Sequence, residues 1–350
     1  MKAKIIIVSI IILICNNIIV KSQDIHFSQA DMTPLLVNPA QAGAQFDLRA
    51  ALNYKNQWSS VAKAYKTINF SFDMKLSKDK NGYNSGKFGY SSVGLNVFKD
   101  VAGDANLQTL QAMLSYSYQV YLNKKSTLGA GLYGSYGQRS IQSENFQWAC
   151  QYDGLNYNSN LASGEVVAVN NVKYFDLGGG AHFEYGKKEK YITGNNHLNI
   201  SAGIAAFHLN QPKYSFVSSD EKLNIKAVGY ANALVGISNS HLSIAPGIMF
   251  FRQGKSSELI FGSMFRYQFK EESKYTGYIK GSALSLGLFY RNNDALIAKI
   301  FYEFSKYAIG VSYDINVSGL KTASNGMGGI EICLRFVNPN PFQKSFNSFF

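Results

Sequence analysis

Residues 68–75 read Ile-Asn-Phe-Ser-Phe-Asp-Met-Lys, and the fold is decided there. Side chains leave a β-strand alternately on its two faces. Ile68, Phe70, Phe72 and Met74 therefore share one face, and Asn69, Ser71, Asp73 and Lys75 share the other. Later segments repeat the pattern. Leu284, Leu286, Leu288 and Tyr290 alternate with Ser285, Gly287, Phe289 and Arg291. Ala298, Ile300, Tyr302 and Phe304 alternate with Lys299, Phe301 and Glu303, and Ile330, Ile332, Leu334 and Phe336 with Glu331, Cys333 and Arg335. A dry sandwich core does not accept charges at alternate strand positions, because an unpaired buried charge is costly. A membrane barrel does, with one face to lipid and the other to a hydrated lumen. Lysine is therefore expected to disturb assembly at Phe70, Leu286 or Leu288 and to be better tolerated at Ser71 or Ser285.

Fourteen such segments are predicted: Leu48–Tyr54, Thr67–Met74, Tyr90–Lys99, Asn106–Tyr121, Ser126–Tyr136, Tyr174–Tyr185, His197–Phe207, Ala227–Ile237, Leu242–Arg252, Ser257–Tyr267, Ala283–Arg291, Ala295–Phe304, Tyr307–Tyr313 and Met327–Phe336. About ten residues is what a tilted transmembrane strand requires, and an even count suits a closed bacterial barrel. No blade-length repeat points to a propeller. The expectation is an all-β transmembrane antiparallel barrel over 48–336, with a periplasmic N-terminal arm over 23–47 and a C-terminal tail over 337–350. If the chain enters from the periplasm, the short hairpins at Leu122–Lys125, Asn239–Ser240 and Ser305–Lys306 lie on that side. The long Gly137–Lys173 connection, with Trp148 and Cys150, then lies outside, as does 208–226. Lys75–Gly89 and Gln268–Ser282 are long for periplasmic turns.

Composition agrees. Charged residues are 16% of the 350, against roughly 25% in soluble domains. Aromatics reach 14%, with 23 Tyr and 24 Phe, and there are 31 Gly. Mean hydropathy is −0.11. Past residue 20 there is no run of about 20 apolar residues of the kind a helical span needs.

The first residues read as a secretory signal. Lys2 and Lys4 precede the apolar stretch Ile5–Cys15, and Val20 and Ser22 occupy the −3 and −1 positions of a cleavage before Gln23. A lipoprotein reading of Cys15 is opposed by the bulky Ile14 before it. Removing 1–22 takes Lys2, Lys4 and Lys21 with it, so the formal charge of +12 falls to +9. Cys150 and Cys333 would then remain, too few for a disulfide scaffold and without CxxC spacing. The lysines are scattered singly or in pairs, such as Lys124-Lys125 and Lys187-Lys188, which argues against nucleic acid.

Chemistry-bearing motifs fail on context. Gly129-Ala-Gly131-Leu-Tyr-Gly134 matches GxGxxG as a string, but a dinucleotide site needs a strand-turn-helix there. These glycines sit within a predicted strand, where they let side chains or a plug approach the wall; Gly178-Gly179-Gly180 reads alike. His26, His182, His197, His208 and His241 never stand at i, i+2 or i, i+4 spacing, and His197 and His208 fall at opposite strand ends. No nucleophile signature appears, Glu271-Glu272 sits in a polar loop, and no cofactor, metal or catalytic set is expected.

Residues 23–43 read QDIHFSQADMTPLLVNPAQAG. Asp24, Phe27, Ser28, Gln29, Pro34, Leu35, Asn38, Pro39, Ala40 and Gly43 resemble the opening of the PorP/SprF family of type IX secretion membrane proteins. Asn56-Gln57-Trp58 with Thr67–Ser71, the Ala206–Pro212 element, and the stretch from Ala308 through Gly329-Ile-Glu331-Ile are similar to later parts of that family. The likeness runs from 23 to about 336; the tail 337–350 and Ala30-Asp31 depart from it. The resemblance implies a non-enzymatic outer-membrane component of type IX secretion and gliding in Bacteroidetes-like bacteria. Its implied partners are outer-membrane lipid, periplasmic machinery components and secreted adhesin-type cargo. A passive channel for small solutes is the alternative. Phe27, Pro34, Asn38, Pro39, Gly43 and Trp58 are the partner-binding candidates. Pro34 and Pro39 make the arm a poor central strand. It reads either as a plain linker leading into the first strand or as an extended arm, along the periplasmic rim or entering the barrel as a plug, that docks machinery.

Overall fold

The computed structural model describes residues 24–59, 63–76, 88–103, 106–141, 148–158, 160–162, 171–187, 197–216, 221–270, 281–319 and 321–338. The expected signal segment 1–22, Cys15 and most of the tail 337–350 lie outside them.

Alternating sequence becomes alternating exposure in fourteen strands. They are β1 (Leu48–Gln57), β2 (Tyr65–Lys75), β3 (Gly89–Ala102), β4 (Leu107–Asn123), β5 (Ser126–Ser140), β6 (Asn171–Lys187), β7 (Leu198–Phe207), β8 (Lys226–Gly236), β9 (Leu242–Gln253), β10 (Ser256–Lys270), β11 (Ser282–Arg291), β12 (Ala295–Phe304), β13 (Tyr307–Asn316) and β14 (Met327–Asn338). Each pairs antiparallel with its sequence neighbours, and β1 closes on β14 with Leu48 opposite Asn338 and Gln57 opposite Gly329. Closure leaves no unpaired edge, as hydrocarbon demands. Every predicted segment is present; most are extended by up to four residues at an end, because pairing continues past the last apolar residue, while the ends predicted at Asn106, His197 and Ile237 fall one residue short.

The outer face is apolar. Leu114, Leu132 and Ile204 are 68%, 70% and 69% exposed, and Phe70, Leu286 and Leu288 also point outward. Of the described residues, no helix is long and apolar enough to cross a membrane. We call the end where β1 begins and β14 finishes the proximal end, and the opposite end distal. Two-residue links occur at both, at 124–125 and 305–306 proximally and at 254–255 distally. Turn length alone therefore does not orient the barrel.

The inner face corrects an expectation. Asn69, Ser71, Asp73 and Asn96 are 0% exposed, and Arg291 and Glu331 only 2%. The lumen is not the hydrated space inferred from its polar lining, because residues 24–47 fill much of it. Ser71 and Ser285 are buried rather than facing open water. Lysine there meets a packed interior, and the easy tolerance expected of lumen positions does not follow.

Candidate functional site

The arm is not extended. It folds into a 3-10 turn over Ala30–Met32, a single α-helical turn over Pro34–Val37 and a second 3-10 turn over Pro39–Gln41. Each proline opens a turn, where its fixed φ fits and its missing N–H costs no hydrogen bond. Asn38 is extended before Pro39, and its Oδ1 accepts from Ala40 N at 2.9 Å, capping the second turn. The segment runs the length of the lumen as a plug. Asp24 stands among residues at the distal end, and Gly43 lies beside β2 and β3 near the proximal end.

The wall makes room with inward glycines. A Cβ at Gly131 would lie 2.6 Å from the backbone N and Cα of Ala40, which cannot move aside as a side-chain tip can. Gly94 likewise faces Leu35, Gly180 and Gly203 face Asn38, and Gly310 faces Gln29. The GxGxxG string thus contributes a plug socket at Gly131, while Gly134 faces outward toward Phe175 and Leu177. Leu35, Val37 and Ala42 pack with Met113, Tyr133, Ala205, Phe207, Val228 and Tyr230. Met32 packs with Phe301, Ala308 and Cys333.

Polar wall residues then satisfy the plug's backbone, as buried amides require. Gln119 donates to Ala40 O (2.7 Å) and Ser117 to Ala42 O (2.8 Å). Asn38 Nδ2 donates to the carbonyls of Ala181 (2.8 Å) and Ile204 (3.1 Å) on β6 and β7. Gly43 N donates to Asp73 Oδ2 at 2.9 Å, and Arg49 holds the other oxygen of that carboxylate at 2.8 Å.

Toward the distal end the contacts become ionic. Glu331 accepts from the backbone N–H of Ser28 (2.7 Å) and Gln29 (2.9 Å) and pairs with Lys55 at 3.2 Å. Ser28 Oγ donates to Asp314 (2.6 Å) and accepts from Arg291 (2.5 Å), and Arg291 also bridges Asp314 (3.1 Å) and Glu258 (3.2 Å). His208, in the left-handed region at φ 60°, lies between Asp24 (2.5 Å) and Asp176 (2.9 Å). Tyr133 also donates to Asp176, at 2.7 Å. Burial pulls the His208 pKa down, but the Asp24 and Asp176 carboxylates outweigh it and raise the group to about 9. Burial opposes ionisation of Asp24 as well, yet His208 and Lys226 hold its carboxyl well below the usual range. His26 is pushed below the ordinary imidazole value by burial and by Lys55, Arg291 and Lys226.

Five of the six sequence candidates come together in the plug. Phe27, Pro34, Asn38, Pro39 and Gly43 are buried against the wall. Trp58 is separate, at the distal end of β1 with φ 57°, its ring edge-on to Tyr65. It lines a chamber of about 780 Å³ whose other walls include Asp24, Ile25, His26, Arg139, His208 and Tyr214. Asp73, Asp176, His208, Arg291, Asp314, Glu331 and the socket glycines were not singled out from sequence as a site. Their signal was available in part, since charges and glycines on a strand's inner face need a partner inside. Cys333 is buried in β14 and Cys150 is exposed in the β5–β6 connection.

A closed barrel with an apolar exterior and an internal plug defines a plugged outer-membrane β-barrel protein. The chain belongs to the PorP/SprF family: the model of the type IX secretion system membrane protein PorP/SprF matches residues 19–336. No curated protein matches the sequence. Among solved structures, the chain is similar to the toluene transporter TbuX of Ralstonia pickettii (11% identity, TM-score 0.44, covering 87% of this chain and 93% of that one). It is also similar to a TodX monoaromatic hydrocarbon channel mutant (10%, 0.44, 86% and 93%). The translocator domain of the autotransporter NalP from Neisseria meningitidis is more distant (8%, 0.34, 88% and 96%).

Proposed function

We propose that this barrel serves type IX secretion as a closed, non-enzymatic outer-membrane component that supports export or surface attachment of large adhesin-type cargo, including cargo used in gliding. The supporting observation is the plug: a lumen occupied from Gly43 to Asp24 disfavours free passage of small solutes through the barrel. The passive-channel alternative would need the plug to leave. Residues 1–22 act as the cleaved signal, and the proximal end faces the periplasm. There the exposed Gln45, with Phe46 and Asp47, is the part of the 23–47 segment that machinery can reach. Phe27, Pro34, Asn38, Pro39 and Gly43 serve partner binding indirectly, by fixing the shape behind that exposed end.

Deleting the gene and comparing secreted and surface proteins tests this reading. A selective loss of large surface proteins, restored by the wild-type gene, is expected. An unchanged secreted set together with impaired uptake of a small solute would establish the channel instead. Orientation is read separately: exposed Cys150 should react with a membrane-impermeant thiol reagent in intact cells. Reaction only after lysis would reverse the two ends.

A further inference from the structure

The outer wall carries charge of one sign. In the strands, the acids point inward, among them Asp73, Asp176, Asp314 and Glu331. Among the described side chains, the charged residues on the outward face are Lys66, Lys99, Lys173 and Arg252, all exposed. Period two fixes this placement. Lys66 shares a face with the exposed Ile68 and Phe70, and Lys173 with Phe175 and Leu177. Lys99 lies opposite Ile68, and Arg252 opposite the exposed Ala227. All four lie within three residues of the distal ends of their strands.

Lys66 and Lys99 are the closest pair. Lys66 stands opposite Val101 on β3, and Lys99 is two residues before it. Such diagonal neighbours lie about 7–8 Å apart. The ammonium groups carried by such neighbours repel beside a low-dielectric membrane, and an anion between them removes that repulsion. A phosphodiester brings about one negative charge, whereas a phosphomonoester brings about −1.5 to −2 and can balance both lysines. Their four-carbon stems reach along the wall to the headgroup level while the strand stays in contact with acyl chains.

We propose that the distal rim, centred on Lys66 and Lys99 and extended by Lys173 and Arg252, binds the phosphomonoester of a phosphorylated saccharide lipid of the outer leaflet. The site lies on the outside of the wall and does not depend on the secretion reading. It also places the distal end at the cell surface, the orientation that Cys150 labelling reads independently.

Native mass spectrometry of the full-length protein, released in mild detergent, tests the site with three added lipids. These are lipid A carrying its phosphate, the same lipid dephosphorylated, and phosphatidylglycerol. Wild type should retain the phosphorylated lipid about tenfold over either of the others, as two lysines acting near a membrane surface imply. Lys66→Gln with Lys99→Gln should lose that preference, and Lys66→Arg with Lys99→Arg should keep it. Lys124→Gln with Lys125→Gln, at the proximal hairpin, should leave it unchanged. Equal retention of the three lipids by wild type overturns the proposal, and so does an undiminished preference in the glutamine pair. Should the glutamine pair fail to fold, the wild-type comparison of the three lipids still decides.

Discussion

The two halves of the plug are held by different physics. From Pro34 to Gly43 it is fitted: glycine sockets, aliphatic packing and mostly neutral hydrogen bonds secure it against β3 to β8. From Asp24 to Asp31 it is mostly clamped by charge, through His208, Arg291, Glu331, Lys55 and Lys299. Close packing is insensitive to pH and salt, whereas ion pairs respond to both when water can reach them. The distal half is thus the part of the plug whose hold can be adjusted by pH and salt.

The largest expected effect comes from breaking the clamp at its centre. Arg291→Met strands Asp314 and Glu258 as buried carboxylates, which should cost about 3–5 kcal/mol and lower the temperature of heat-modifiability. A loss no greater than that of an exposed pair would show that water reaches the clamp. Next is pH. Because the His208 value of about 9 lies above the ordinary 6.5, its stabilisation is complete below 6.5 and is lost as pH rises through about 9. At most about 3 kcal/mol is involved. Wild type should therefore lose its advantage in thermal midpoint over His208→Gln between those values; a constant gap would refute the charged latch.

The fitted half should behave otherwise. Gly131→Val drives a side chain into the Ala40 backbone and should cost about 1–3 kcal/mol, equally at pH 7 and pH 9.5. Were that cost to grow with pH, the halves would not be independent. The smallest effect is expected at the 3.4 Å pair of Asp31 with Lys299, where Asp31 is partly exposed. Asp31→Asn should cost under about 1 kcal/mol, and its effect should vanish in high salt.

How much of this was legible follows from range. Ile68 to Lys75 reveals both its strand and its faces, because a strand's pattern is local and every wall strand has the same two environments. The plug's form was not legible, since turns of three or four residues, though opened by Pro34 and Pro39 and capped by Asn38, are too short to hold without β4, β6 and β7. The charges of Arg291 and Glu331 are legible on a strand's inner face, with water as their expected partner; Ser28 and Gln29, 263 to 303 residues away in sequence, take that place. Gly131 reads as a place where side chains or a plug approach the wall, and what approaches is the backbone of Ala40 in the plug. Trp58 is similar to a later part of the family; β1 carries it from the proximal end to the distal chamber, which Asp24, Ile25 and His26 of the arm also line.

The plug begins at one mouth and passes into β1 at the other, and β1 is the strand that seals the seam against β14. This arrangement favours one order of construction. A finished hoop would have to be threaded by Asp24 through its whole height, past Gly131 and Asn38's narrow seats. A hoop still open between its first and last strands can instead wrap sideways around a segment already lying in place. The final zipping of Leu48–Gln57 onto Gly329–Asn338 would then trap the segment. Folding of the wall and stowing of its contents become one event, and a chain lacking 24–43 would have to close its hoop around nothing.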